Sequence, residues 1–300
     1  SVKSRGLGDV YKRQALVTPM IESGDVDYDA LERLIDWHIA NGTNGIVSVG
    51  TTGESATLNL EDHLKVIKHT IDYAKLRIPI IAGTGANSTA EALELTQESK
   101  NLGADFALIV TPYYNKPSQK GLISHYTKIA DNVDIPQILY NVPSRTACDL
   151  LPSSVEILSS HKNIIGIKEA VDSESRISEL VDIKHKDNNF LLLSGDDPSF
   201  LKMMKKGGDG VISVTANIVP NLISEICSLA LDDKFEEAST TNKKLQNLYE
   251  LLFVESNPVP AKWMLYKMNL IKSFIRLPLV ELDVKYHENV LNEMLKLKII

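Results

Sequence analysis

Eight short apolar runs recur along the chain, each followed by a turn-rich break and then a stretch of helical period. They are ALVTP (15–19), GIVSV (45–49), IPIIAG (78–83), FALIVTP (106–112), PQILYN (136–141), IIGIK (164–168), FLLLSG (190–195) and GVISVT (210–215). Intervals of roughly 20 to 33 residues suit a strand–helix unit, and near-continuous apolar strands are what a parallel sheet needs when helices cover it. Eight such units close most naturally into a (β/α)8 TIM barrel, an α/β fold. The stretches between support this: YDALERLIDWHIANG and TAEALELTQESKNLG place apolar residues at helical spacing and end at a glycine. A chain of 300 residues, 43% of them hydrophobic, can bury such a core as one unit.

The expected organisation has three parts. Residues 1–14, SVKSRGLGDVYKRQ, are basic and share no period with the remainder of the chain, so they read as a non-native or disordered extension. Residues 15–230 form the catalytic barrel, and residues 231–300 a C-terminal helical appendage. Helical patterns near 221–230, 234–253, 258–268 and 284–298 outnumber the single helix needed to close the barrel.

Charge and composition narrow the function. A net charge of -7 with Lys and Glu interspersed offers no basic field for nucleic acid, so small molecules are the expected ligands. Two cysteines, Cys148 and Cys227, suit a reducing compartment. No apolar stretch approaches the roughly 18 residues of a membrane span and no signal peptide opens the chain, which makes the cytoplasm the default location. The seven histidines form no H-x-x-x-H pair and have no cysteine partner, so neither a metal nor a cofactor is expected. GTGAN, after the third run, does not fit a dinucleotide fingerprint.

In a barrel of this type chemistry sits at the C-terminal ends of the strands. Lys168 closes the sixth run, and an amine walled by apolar neighbours has its ammonium form disfavoured, so a neutral nucleophile becomes accessible near neutral pH. Such an amine adds to a ketone, forms an iminium and acidifies the adjacent carbon. The alternative is a rim lysine that snorkels or pairs with Glu169. Tyr140 ends the neighbouring fifth strand, where a phenol could shuttle the protons of iminium formation or simply cap the core. Thr51 and Thr52, in VGTTGES, could hold a carboxylate with hydroxyls and backbone N–H groups or belong to an ordinary loop. Arg145 offers a planar fork to a carboxylate or to a surface ion pair, and Asp196 and Asp197, ahead of Pro198, are expected to cap the next helix.

VGTTGESATL, VTPYYNKPSQKG, ILYNVPSRTACDLL, GIKEA, LLSGDD and GVISVTAN, in this order, resemble the 4-hydroxy-tetrahydrodipicolinate synthase family, and FVESNPVPAKWML extends the resemblance into the C-terminal helices. The resemblance implies a lyase that condenses pyruvate with L-aspartate 4-semialdehyde, on the route to diaminopimelate and lysine. It implies Lys168 as the Schiff-base lysine, Tyr140 as general acid and base, and Thr51 and Tyr114 as the rest of its proton relay. Tyr114 would enter the site of a neighbouring subunit in a homotetramer built as a dimer of dimers. Thr52 and the backbone at Ile212 would hold pyruvate, and Arg145 the carboxylate of the semialdehyde. An inhibitory L-lysine site would comprise Ser55, Ala56, His63, Asn87, Glu91 and Tyr113, with Leu60 standing where sensitive members carry histidine. A sister aldolase acting on sugar acids would share the lysine and tyrosine but not Arg145; a noncatalytic amino-acid sensor would not require the Lys, Tyr and Thr set.

Overall fold

The computed structural model describes residues 12–187 and 189–300. Eight parallel strands close on themselves in sequence order, with β8 returning to β1. They are β1 (Lys12–Ala15), β2 (Gly45–Ser48), β3 (Ile80–Gly83), β4 (Phe106–Val110), β5 (Gln137–Asn141), β6 (Ile164–Glu169), β7 (Leu191–Ser194) and β8 (Gly210–Ser213). The barrel helices are α1 (Tyr28–Ala40), α2 (Leu60–Ala74), α3 (Thr89–Asn101), α4 (Gln119–Asn132), α5 (Pro143–Thr146), α6 (Pro152–Ser159), α7 (Glu174–Lys186), α8 (Phe200–Lys205) and α9 (Pro220–Leu231). Beyond them lie α10 (Phe235–Lys244), α11 (Gln246–Leu251), α12 (Val259–Lys267) and α13 (Val284–Lys296).

Helix starts obey local chemistry. Asp27, Asn59, Ser88, Ser118 and Ser173 accept from first-turn amides of α1, α2, α3, α4 and α7, and α5, α6 and α9 carry proline in the first turn, where its missing N–H is not needed. The barrel interior is filled by Ala15, Val47, Ile81, Phe106, Leu108, Ile138, Tyr140, Leu193 and Ile212, with the partly buried Ile165 of β6 packed against them. The helical segment expected over 234–253 is two helices, interrupted at the fully buried Leu245.

The first strand corrects the sequence reading. Pairing runs Arg13 to Gly45, Gln14 to Ile46 and Ala15 to Val47 on one side, and Lys12 to Val211, Arg13 to Ile212 and Gln14 to Ser213 on the other. Residues 12–14, expected to belong to the extension, are therefore barrel strand, and residues 1–11 lie outside the described residues. Of the run ALVTP only Ala15 is in the strand; Leu16 to Pro19 are buried past its end, where Leu16 still donates to Val47, so their apolarity reports burial more than pairing. The C-terminal helices do not make a core of their own. Leu245, Leu248, Trp263 and Met264 pack in one cluster with Leu16, Leu34, Val49 and Ile67.

Candidate active site

The β5–β6 register places Tyr140 directly beside Lys168 at the C-terminal end of the barrel. Lys168 is 5% exposed, and its Nζ lies 4.2 Å from the centroid of the Tyr140 ring. Space for its stem comes from Gly195, where an added Cβ would approach Lys168 Cε to 3.0 Å. Burial lowers the Lys168 pKa from 10.5 to about 7; Asp197 opposes the shift and Arg145 adds to it. Pairing with Glu169, the alternative open to the sequence, does not occur. Strand alternation turns Glu169 out of the barrel, where Asn141 Nδ2 donates to it at 3.1 Å and Arg176 pairs with it at 3.1 Å. Burial raises the Tyr140 pKa to about 12, against the lowering effects of Arg145 and of a hydrogen bond with Thr51.

Thr51 and Thr52 sit in a tight loop after β2. Two residues there hold positive φ, Val49 at 55° and Glu54 at 59°, and a β-branched residue in that region is under steric strain. Gly83 at the end of β3 admits the loop, because a Cβ there would meet Val49 O at 2.2 Å. Thr51 is half-buried and faces Tyr140, whereas Thr52 is buried and accepts a hydrogen bond from Asn257 Nδ2 at 2.9 Å. Ile212 is buried in β8. Arg145 is exposed on α5, close enough to Lys168 and Tyr140 to lower both pKa values. Tyr114 stands apart from this group, 88% exposed on the β4–α4 loop with φ 75°.

A pocket of about 230 Å³ opens beside the site, lined by Thr51 and Arg145 and by five of the six residues that the resemblance implies for an inhibitory lysine site: Ser55, Ala56, His63, Glu91 and Tyr113. Asn87 is not in its wall, but its backbone hydrogen-bonds with Tyr113. His63 places its Nε2 2.7 Å from Gly83 O, and burial lowers its pKa. Leu60, 44% exposed, occupies the pocket wall at the position where histidine is expected in sensitive members.

Two features have no signal in the sequence. Asp196 accepts from Ser199 as a turn residue, but Asp197 does not cap α8; its Oδ2 accepts from Val214 N, Thr215 N and Thr215 Oγ1 and ties β7 to the end of β8. Lys262 and Asn257 lie in the C-terminal region, over 200 residues from the loop they touch, and no local pattern reports such a contact.

The Dihydrodipicolinate synthetase family profile matches residues 12–297. The chain is 51% identical over 273 residues to the 4-hydroxy-tetrahydrodipicolinate synthase of Saccharophagus degradans, covering 91% of this chain and 93% of the relative. It superposes with a TM-score of 0.95, at 50% identity, on the chloride-inhibited dihydrodipicolinate synthase of Acinetobacter baumannii complexed with pyruvate, over 97% of this chain and 100% of that one. The lysine-bound enzyme from Cyanidioschyzon merolae superposes with a TM-score of 0.94 at 34% identity, over 97% of this chain and 99% of that one. A match this long, on a closed eight-stranded barrel with a buried lysine and tyrosine at its mouth, means that the chain belongs to the dihydrodipicolinate synthetase family.

Proposed function

We propose that this barrel condenses pyruvate with L-aspartate 4-semialdehyde through a Schiff base on Lys168, giving 4-hydroxy-tetrahydrodipicolinate for diaminopimelate and lysine biosynthesis. The observation that carries the assignment of Lys168 is its burial beside Tyr140 with a pKa near 7. At neutral pH much of the amine is free to attack the keto carbon of pyruvate. Tyr140, protonated throughout the working range, gives a proton to the carbinolamine oxygen so that it leaves as water, and Thr51 hands protons to and from it. The iminium draws electrons from the methyl carbon, which loses a proton to form the enamine. That carbon then attacks the aldehyde, and the amino group of the second substrate displaces Lys168 as the ring closes.

Thr52 and the backbone at Ile212 hold the pyruvate carboxylate, and Arg145 receives that of the semialdehyde. Tyr114 completes the relay of an adjoining subunit. Its ring is 88% exposed in the isolated chain, which leaves it available to at least one further subunit, and a homotetramer arranged as a dimer of dimers is the proposed assembly. L-lysine occupies the pocket beside Ser55, His63, Glu91 and Tyr113 as an inhibitor, with Leu60 altering its strength. The cytoplasm is the setting; among the described residues no helix is long and apolar enough to cross a membrane.

Borohydride reduction with and without pyruvate tests the reading. A permanent pyruvyl adduct on the peptide carrying Lys168 is expected only with pyruvate, and an unmodified lysine sinks the assignment. Product formation with the semialdehyde, and none with sugar acids, separates this activity from its sister aldolases.

A further inference from the structure

The loop that carries Thr51 and Thr52 is strained at Val49 and Glu54, and such backbone persists only where its surroundings over-determine it. Within the barrel Thr18 Oγ1 donates to Gly53 O at 2.7 Å, Thr51 hydrogen-bonds with Tyr140, and short turns join Gly50 to Gly53 and Ser55, Thr51 to Glu54, and Glu54 to Thr57. The contacts to the Thr52 and Glu54 side chains come from the far end of the chain. Asn257 Nδ2 donates to Thr52 Oγ1 at 2.9 Å. Lys262, itself 4% exposed, donates to Thr18 O at 3.0 Å and pairs with the buried Glu54 at 2.5 Å. Arg276 N donates to the other oxygen of Glu54 at 3.1 Å, and its guanidinium spans Gly24 O, Thr57 O and Asp62.

We propose that Asn257, Lys262 and Arg276 are positioning residues for keto-acid binding, so that the C-terminal helical region is a working part of the active site. This rests on the assignment of Thr52 to the pyruvate carboxylate. The chemistry is directional. A hydroxyl oxygen that already accepts from an amide N–H turns its own proton elsewhere, and an anion is the acceptor that binds it most strongly. Asn257 therefore sets the Thr52 hydroxyl as a donor before the substrate arrives. Lys262 and Arg276 engage both oxygens of Glu54 and so fix the residue that holds the second strained φ. Pre-organisation of this kind lowers the ordering penalty of binding and acts on KM more than on the later chemical steps.

A double-mutant cycle tests it. Asn257→Ala is expected to raise KM for pyruvate about tenfold, the loss of one hydrogen bond acting on a charged ligand, with kcat and KM for the semialdehyde within about twofold. In a Thr52→Val background the same change should add less than about twofold, because its target hydroxyl is gone. Independent, multiplying effects overturn the role of Asn257. For the ion pair, Glu54→Gln with Lys262→Met removes both charges and avoids the unpaired buried carboxylate that Lys262→Met alone would leave. Faster hydrogen exchange at the amides of residues 49–55 is expected in the folded double variant, and wild-type exchange there overturns the clamp. That exchange reading needs no turnover, so failure of the wild type to trap pyruvate counts against the catalytic assignment and not against the clamp.

Discussion

Lys168 and Arg13 are both cations buried on barrel strands, and the contrast between them separates a reactive group from a charge without hydrogen-bond partners among the described residues. Lys168 lies at the C-terminal end of β6 against the Tyr140 ring; Arg13, with no exposed surface, lies in β1 with its guanidinium 5.4 Å from the ring of Phe106, which opens β4. Both lose solvation, and burial lowers both pKa values, to about 7 for Lys168 and about 10 for Arg13, where the charge of Asp209 opposes the shift. The outcomes differ because 7 lies within the working range and 10 does not. An amine can drop its proton and become a nucleophile, whereas the guanidinium keeps its charge and has no hydrogen-bond partner for Nε, Nη1 or Nη2 among the described residues.

The largest expected effect is at Lys168. Lys168→Met should abolish the trapped adduct and lower kcat/KM by about 10⁴ or more, since no other amine stands in its place. The same change should raise stability. The folded pKa is below the unfolded value of 10.5, so the unfolded chain binds more protons between pH 7 and 10.5 and wild-type stability climbs across that window. The gain in Tm from Lys168→Met should therefore be greater at pH 6 than at pH 10; a gain that does not depend on pH would mean that the lysine is not buried as a cation. Tyr140→Phe keeps the ring and removes the proton carrier, and is expected to lower kcat by about 10² to 10³. A loss under about threefold would leave proton transfer to solvent or to another group. Next in size is the pH effect on the wild type: adduct formation should fall about tenfold per pH unit below pH 7 and level off above it, as the neutral fraction of Lys168 dictates. A midpoint near 10 would remove the burial argument.

The same contrast explains what could be read from the sequence. Lys168 is legible because a single amine closing an apolar run stands out at a strand end, and Tyr140 because adjacent strands in a barrel bring their ends together. Seven strands are legible for the same reason, their apolar runs coinciding with pairing. The first is displaced because Arg13 and Gln14 are polar and buried, and polarity in a sequence reads as exposure. Thr51, Thr52 and Arg145 can be placed at the mouth from their loops, yet the residues that hold them cannot. Glu169 looks like a partner for Lys168 until strand alternation sends it outward to Asn141 and Arg176, and Asn257 reaches Thr52 across a separation that only the closed fold brings together.

Arg13 carries the smallest expected effect and the most direct test of the comparison. If its charge lacks compensation, Arg13→Met should keep the packing volume, lose the interaction with Phe106 and still stabilise the fold by about 1–2 kcal/mol, because the desolvation penalty of an unpaired buried cation exceeds a cation–π contact. Kinetic constants are a separate readout, because Arg13 pairs across the sheet with Ile212, the residue proposed to hold pyruvate. Thermal unfolding at pH 8 decides the matter. A lower Tm in the folded variant would mean that the guanidinium is satisfied in solution, by water or an anion held in the barrel. The two buried cations would then differ in what binds them and no longer in whether they can shed a proton.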